Sequence, residues 1–130
     1  MKSMKFFRED GQSLVELALV LPLLLIMLLG TVELGRVFHA YIVVTQASRE
    51  AARSAAIGMT DVEIETVVKD NTSSLGNNVM INITPLESER KIGSNVKVEV
   101  DYAVDLIAPF AAVILTDPFP VRGSTSMRME

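Results

Sequence analysis

The sequence predicts an α+β protein, with a long N-terminal helix followed by a short helix and a small antiparallel sheet of about three strands. Three observations predict this class. No charged residue occurs from Leu17 to Val32, two later stretches alternate apolar and polar residues, and a helix-capping pattern precedes them. At 130 residues, the chain has room for one small domain beside the apolar segment.

The apolar segment is long enough to cross a membrane. Counted from Gln12 to Val32, a helix rising about 1.5 Å per residue spans roughly 31 Å, close to the thickness of a bilayer's hydrocarbon core. Lys2, Lys5 and Arg8 precede it, and cytoplasmic flanks are typically basic. We therefore expect a single-pass membrane protein, in contact with lipid, with its N-terminus in the cytoplasm and its C-terminal part outside.

An acidic residue, Glu16, lies inside this apolar segment. An acid at mid-bilayer costs on the order of 2.5–3.5 kcal/mol, and less near the interface. Three interpretations compete for the N-terminal region: a cleaved secretory signal peptide, an uncleaved signal anchor, and a prepilin-like leader cut on the cytoplasmic face after Gly11. The third accounts for both the glycine and the acid.

In that interpretation, residues 1–11 are a leader and the mature chain begins at Gln12. Gly11 has no side chain, so a peptidase can approach the backbone closely. Glu16 becomes the fifth mature residue, and its carboxylate can pair with the freed α-amino group of a neighbouring subunit, since paired charges compensate part of each other's desolvation. Gly11 and Gln12 are therefore the candidate cleavage site, and Glu16 is the candidate assembly residue.

The helix is expected to continue to Ile57, giving a 12–57 segment whose transmembrane part is 12–32. Pro22 lacks a backbone donor and its ring meets the carbonyl of Ala18, which predicts a kink. Gly58 is expected to stop the helix. A narrow packing stripe is predicted by apolar and small residues at steps of four and three, namely Val37, Tyr41, Val44, Ser48, Ala51 and Ala55.

Residues 58–130 are expected to form an extracytoplasmic α+β domain. Thr60 and Glu63 form a capping box for a short helix, whose apolar face comprises Val62, Val67, Val68 and Leu75, with Ile64 fitting weakly. Alternating patterns predict strands near 79–84, 96–105 and 120–129. For the apolar stretch Leu106–Thr116, a short helix covering the sheet is preferred over a loop touching the membrane or a partner subunit.

The sequence predicts no enzyme. It has no cysteine and one histidine, His39, so no cysteine zinc site, thiol nucleophile or Ser/His/Asp arrangement can be built. The acids between Val96 and Asp105 alternate on the outward face of a strand, as solvated residues do. We expect no catalytic residue, metal, cofactor or small-molecule substrate, and the net charge of −4 argues against nucleic acid.

The N-terminal region resembles the TadE-like family, which comprises pseudopilins or minor pilins of the tight-adherence (Tad, Flp-type) pilus machinery. The resemblance covers about residues 11–56 and rests on four motifs: Gly11–Glu16, Leu17–Leu25, Glu33–Arg36 and Arg49–Arg53. It implies a pilin-like fold, with Glu16 as the family's acid at position five. Type IV and type II secretion pilins usually place Phe where this chain has Gln12, and a major Flp pilin is little more than the helix; both differences favour the TadE-like family.

The resemblance also implies a function. It implies cleavage by a prepilin peptidase between Gly11 and Gln12, insertion in the cytoplasmic membrane, and a part in assembling a thin pilus for adhesion or secretion. The implied partners are other Tad pilus subunits and the inner-membrane assembly platform. An alternative of another class stays open: a stably anchored extracytoplasmic binding module with no pilus role.

Overall fold

The structure is a computed structural model that describes the backbone of residues 6–130 and the side chains of residues 11–130. The basic side chains expected to orient the N-terminus lie outside the described residues. The elements are α1 (Phe6–Ala56), α2 (Asp61–Asn71), β1 (Val79–Thr84), β2 (Asn95–Val104), α3 (Ala111–Ile114) and β3 (Phe119–Arg128), with 3-10 turns at Ser73–Leu75 and Glu87–Glu89. The predicted α+β class is confirmed.

Helix α1 is 51 residues long, roughly 76 Å at 1.5 Å per residue. It begins before Gly11, so the backbone has no boundary at the expected cleavage site. It also continues through Pro22 without interruption, and the kink expected there stays a prediction.

Gly58 ends α1 as expected. Its φ of +86° lies in the left-handed region that favours glycine. The N–H groups of Gly58 and Met59 donate to the carbonyls of Ala55 and Ser54, at 3.1 and 3.2 Å. These bonds satisfy two carbonyls that the last turn of the helix would otherwise leave free.

The three strands form one antiparallel sheet in the order β1-β2-β3. Val100 in the central strand stands opposite Ile81 on one side and Gly123 on the other. Alternate residues point to one face, which is why the period-two pattern located β2 so well. The sheet's main contribution to the core is a set of buried valines: Val96, Val98, Val100, Val104 and Val121.

The outer half of α1 covers this face. From Ala40 onwards its buried residues are small: Ala40, Val44, Ala47, Ser48, Ala51, Ala52, Ser54, Ala55 and Ala56. The predicted stripe is right in four of its members and partly right at Val37, but Tyr41 is 53% exposed and was assigned to the wrong face. Ala40 takes the place expected for Tyr41, because a small side chain lets the helix approach the sheet closely.

Strand β3 touches α1 most closely at Gly123. A Cβ on this residue would lie 2.4 Å from the carbonyl oxygen of Val44, which no side chain tolerates without a backbone shift. Nearby, the Ser48 hydroxyl donates to the carbonyl of Thr45 and lies 2.9 Å from the Thr125 hydroxyl. Since the Ser48 proton is already used, Thr125 is the donor in that second bond.

The capping box of α2 is confirmed. The main-chain N–H of Thr60 donates to the Glu63 carboxylate at 2.9 Å, and the Glu63 N–H donates back to the Thr60 hydroxyl. The predicted apolar face is wrong at one position: Val62 is 75% exposed, whereas Ile64 is buried beside Val68. Val62 lies on the same face of α2 as the exposed Glu65, Thr66 and Lys69, whereas Ile64 lies on the buried face with Val68.

A buried arginine joins α2 to the sheet. The guanidinium of Arg90 pairs with Asp61 and donates to the carbonyls of Met59 and Pro85, each at 3.2 Å. This cation therefore fixes the turn after α1 to the connection between β1 and β2. Its burial is compensated because a charge partner and two carbonyl acceptors surround it.

Candidate functional site

The apolar N-terminal part of α1 is largely exposed in the described chain. Every side chain from Gly11 to Leu29 is exposed, although most are large and apolar. Among the described residues, this is the one helix long and apolar enough to cross a membrane. An exposed apolar surface of this extent fits a single membrane pass, where lipid or neighbouring helices cover it.

The candidate processing residues lie at the start of this surface. Gln12 and Glu16 are one helical turn apart, and the Gln12 amide donates to the Glu16 carboxylate at 3.1 Å. A Cβ placed on Gly11 would meet nothing within 4 Å. Packing within the described chain therefore does not require a glycine at this position.

Cutting the chain after Gly11 would change the electrostatics of this turn. Gln12 would carry a charged α-amino group at the start of the helix, beside backbone N–H groups without helical acceptors. A carboxylate in the first turns of a helix is favoured by the helix dipole. Glu16 bears the acidic group there, and its side chain is exposed.

A second polar site lies where α1 leaves the apolar segment. Glu33 is only 4% exposed, and one of its carboxylate oxygens lies 3.1 Å from the guanidinium of Arg36. The same oxygen accepts the main-chain N–H of Ile107 at 3.2 Å. Arg36 also donates to the carbonyl of Asp105 at 3.0 Å. Together these bonds fix the connection after β2 to the helix.

Sequence reasoning missed this junction, although a signal for it exists. Glu33 is the first charge after the uncharged run and stands three residues before Arg36, a spacing at which helical side chains meet. The same spacing is equally consistent with a solvent-exposed ion pair on the helix surface. Only the position of residues 105–107, more than seventy residues along the chain, makes it a buried junction.

The stretch Leu106–Thr116 does contain a short helix, α3, but this helix lies along α1 and does not cover the sheet. A groove of about 440 Å³ separates it from α1, and apolar residues from both sides line it, among them Met27, Leu34 and Ile114. The Phe110 ring comes within 4.0 Å of a Cβ built on Gly30. The loop therefore reaches the apolar segment of the helix.

The described residues hold no cluster of three or more His, Asp or Glu that could bind a metal ion. On the outward face of the sheet, Asp101 pairs with Arg122, which raises the pKa of that guanidinium. Lys97 contacts Glu99 at 2.7 Å and lowers the pKa of its carboxyl. His39 lies 3.5 Å from the hydroxyl of Ser74 on the surface. These are ordinary surface pairs.

The model of the TadE-like protein family matches residues 11–53. The match begins at Gly11, contains Glu16 and the buried Glu33, and ends in the part of α1 that packs on the sheet. The resemblance seen in the sequence is thus confirmed over this stretch. No curated protein and no solved structure matches the chain.

Proposed function

We propose that this chain is a membrane-anchored minor pilin or pseudopilin that acts in assembly of a Tad (Flp-type) pilus, used for adhesion or secretion. The observation that carries the proposal is the TadE-like match over residues 11–53, a stretch that contains the exposed apolar segment of α1. The role is structural: the chain contributes binding surfaces rather than catalysis.

The first step of the proposal is cleavage by a prepilin peptidase between Gly11 and Gln12. Residues 1–11 are then the leader, 12–57 the long helix and 58–130 the extracytoplasmic domain. The exposed Gly11, against which a Cβ would find open space, supports this step. The peptidase meets an unobstructed backbone at this position.

The second step is insertion next to other subunits. Glu16 pairs with the new α-amino group at Gln12 of a neighbouring copy or of another pilus subunit. In the uncut chain the carboxylate has a neutral amide partner at 3.1 Å. A full positive charge is the stronger partner for a carboxylate in low dielectric, so cleavage would favour association.

The proposed location is the cytoplasmic membrane, crossed once, or the pilus built from it. The N-terminus lies in the cytoplasm and the sheet lies outside. The partners are the prepilin peptidase, other Tad pilus subunits, the inner-membrane assembly platform and the surrounding lipid. An acid facing lipid is costly unless it has such a partner, which supports assembly as its purpose.

The deciding experiment is the intact mass and N-terminal sequence of the protein purified from the membranes of its own host. A chain that begins at Gln12 supports the proposal. A chain that begins at Met1 and is absent from any pilus fraction supports the anchored binding module instead. A chain that begins beyond Val32 identifies a secretory signal peptide and overturns the membrane argument.

Variants sharpen this test. Gly11→Leu should abolish the mature form, because the bulky side chain obstructs the backbone at the cleavage site. Gly35→Leu is the matched control, since Gly35 lies in the same helix and a Cβ there also meets nothing within 4 Å. If Gly11→Leu is processed as fully as Gly35→Leu, cleavage at Gly11 is excluded.

A further inference from the structure

We propose that Leu106–Thr116 is a second membrane contact, in which residues 110–114, here called the crown, insert into the outer-leaflet interface beside α1. This inference rests on the membrane anchoring of the proposed function but not on its pilus role. The occupant of the exposed apolar surface of the crown is lipid.

The base of the loop is polar and fixed. Glu33 accepts the N–H of Ile107 at 3.2 Å, and Arg36 donates to the carbonyl of Asp105 at 3.0 Å. On the other side, the carboxylate of Asp117 accepts the N–H of Leu106 at 3.2 Å. Glu33 and Arg36 lie one turn apart in α1, just beyond the end of its uncharged run. That level suits the headgroup region of a bilayer.

From this base the crown extends toward the membrane. Its groove is lined by Met27 and Gly30, which precede Glu33 in the helix. Met27 lies six residues before Glu33, so the crown reaches about 9 Å below the polar base at 1.5 Å per residue. This is the depth at which interfacial helices bury their apolar faces, roughly 5–10 Å into the boundary between headgroups and acyl chains.

The side chains that the crown exposes are apolar. Val113 is 86% exposed and Ile114 is 81% exposed, and Leu106–Thr116 contains no charged residue. This surface is continuous with the exposed apolar surface of α1 around Met27. If α1 spans a bilayer, the same lipid that surrounds Met27 is within reach of the crown. A partner dissolved in water would not reach this depth.

The experiment uses the full chain, which contains no native cysteine. Single variants Val113→Cys, Leu24→Cys and Ile92→Cys receive an environment-sensitive fluorophore, and each protein is reconstituted in phosphatidylcholine vesicles that carry a shallow or a deep acyl-chain quencher. The probe at Leu24 shows whether α1 crosses the bilayer. Ile92 is the matched negative control because it is 85% exposed in the loop before β2, at the other end of a strand about 30 Å long.

We expect the deep quencher to quench the Leu24 probe strongly. The shallow quencher should quench the Val113 probe at least about three times as strongly as the Ile92 probe, which should be quenched little. Val113 quenched no more than Ile92, with Leu24 quenched, would overturn the lipid contact and leave the span intact. A probe at Val113 that is shielded only in assembled filaments would identify a protein partner, and would also overturn it. Absence of quenching at Leu24 would show that α1 does not cross the bilayer, and would overturn the proposal with it.

A second variant tests whether the apolar character of the crown drives insertion. Ile114→Glu in the Val113→Cys chain should reduce quenching at Val113 to the Ile92 level, since a charge is costly at this depth. Ile92→Glu in the same chain is the control and should leave it unchanged. Unchanged quenching with Ile114→Glu would contradict the proposal. The N-terminal sequence, measured separately, shows whether pilin-type processing fails independently.

Discussion

The carboxylate of Glu33 accepts the main-chain N–H of Ile107 at 3.2 Å, and this bond joins the end of the apolar segment to the connection after β2. Because Glu33 also pairs with Arg36, one buried acid satisfies both a cation and a backbone donor. The membrane segment and the outer domain are thereby held together at a second place besides the apolar packing of α1 on the sheet.

Glu33→Ala should loosen this junction without unfolding the sheet. Loss of the acceptor leaves the Ile107 N–H without its partner, while Arg36 keeps its bond to the Asp105 carbonyl, and the cost is about 1–3 kcal/mol. Hydrogen exchange at Ile107 should accelerate about tenfold or more while Val98 stays protected. Glu50→Ala, at an exposed site on α1, is the control. Equal exchange at Ile107 in both variants would show that the bond has no stabilising role.

Glu16→Gln tests charge pairing at the membrane surface. The amide can still accept the bond from Gln12, so local structure is kept, but the attraction to an α-amino group is lost. Cleavage should continue, while incorporation into the sheared pilus fraction falls by about tenfold, which corresponds to about 1.4 kcal/mol. Glu16→Asp should retain part of the incorporation. Full incorporation of Glu16→Gln would exclude charge pairing as the purpose of this acid.

Gly123→Ala should destabilise the outer domain severely. The new Cβ would lie 2.4 Å from the Val44 carbonyl oxygen, so β3 must move away from α1, at a cost of about 1–3 kcal/mol or more. The thermal unfolding midpoint of the full chain in detergent measures this. Gly35→Ala, where the methyl group meets open space, should leave the midpoint unchanged or raise it slightly, because alanine is the better helix former. A midpoint equal to that of Gly35→Ala would mean that the close approach is not rigid.

The capping residue Glu63 makes the stability of α2 depend on pH. The backbone N–H of Thr60 first, and its hydroxyl second, donate to the carboxylate and lower its pKa below 4.5. Because the folded pKa is the lower one, the stabilisation is complete above about pH 4.5 and is lost as pH falls through the folded value.

Glu63→Gln should therefore reduce the dependence of the thermal unfolding midpoint on pH between about pH 6 and about pH 3. The control is Glu65→Gln, at an exposed site on the same helix where the carboxylate contacts Lys69. It should keep the part of the pH dependence that comes from the cap. If both variants flatten the curve equally, the capping box is not its source.

The elements themselves follow from patterns of short range. Alternation in β2, the Thr60–Glu63 box and the helix stop at Gly58 each depend on residues close in sequence, and each was predicted. The N-terminal site residues Gly11 and Glu16 were also selected from the sequence alone, because a glycine and an acid are conspicuous beside an apolar run. Their roles in cleavage and assembly stay predictions.

Details that depend on distant residues were not predictable. Tyr41 fits a helical stripe as well as Ala40 does, and only the sheet decides which one is covered. The buried state of Glu33 depends on where the chain returns at Ile107. Likewise, α3 was expected over the sheet, but the polar bonds at the base of its loop direct it along α1 instead.

The uninterrupted course of α1 has a mechanical consequence. A single helix carries both the exposed apolar surface and the surface that holds the sheet, with Gly123 in direct contact with its backbone. Rotation of this helix about its axis therefore turns the outer domain by the same angle. A neighbour that engages Glu16 on one side of the helix would thereby determine which edge of the sheet the assembled structure presents outward.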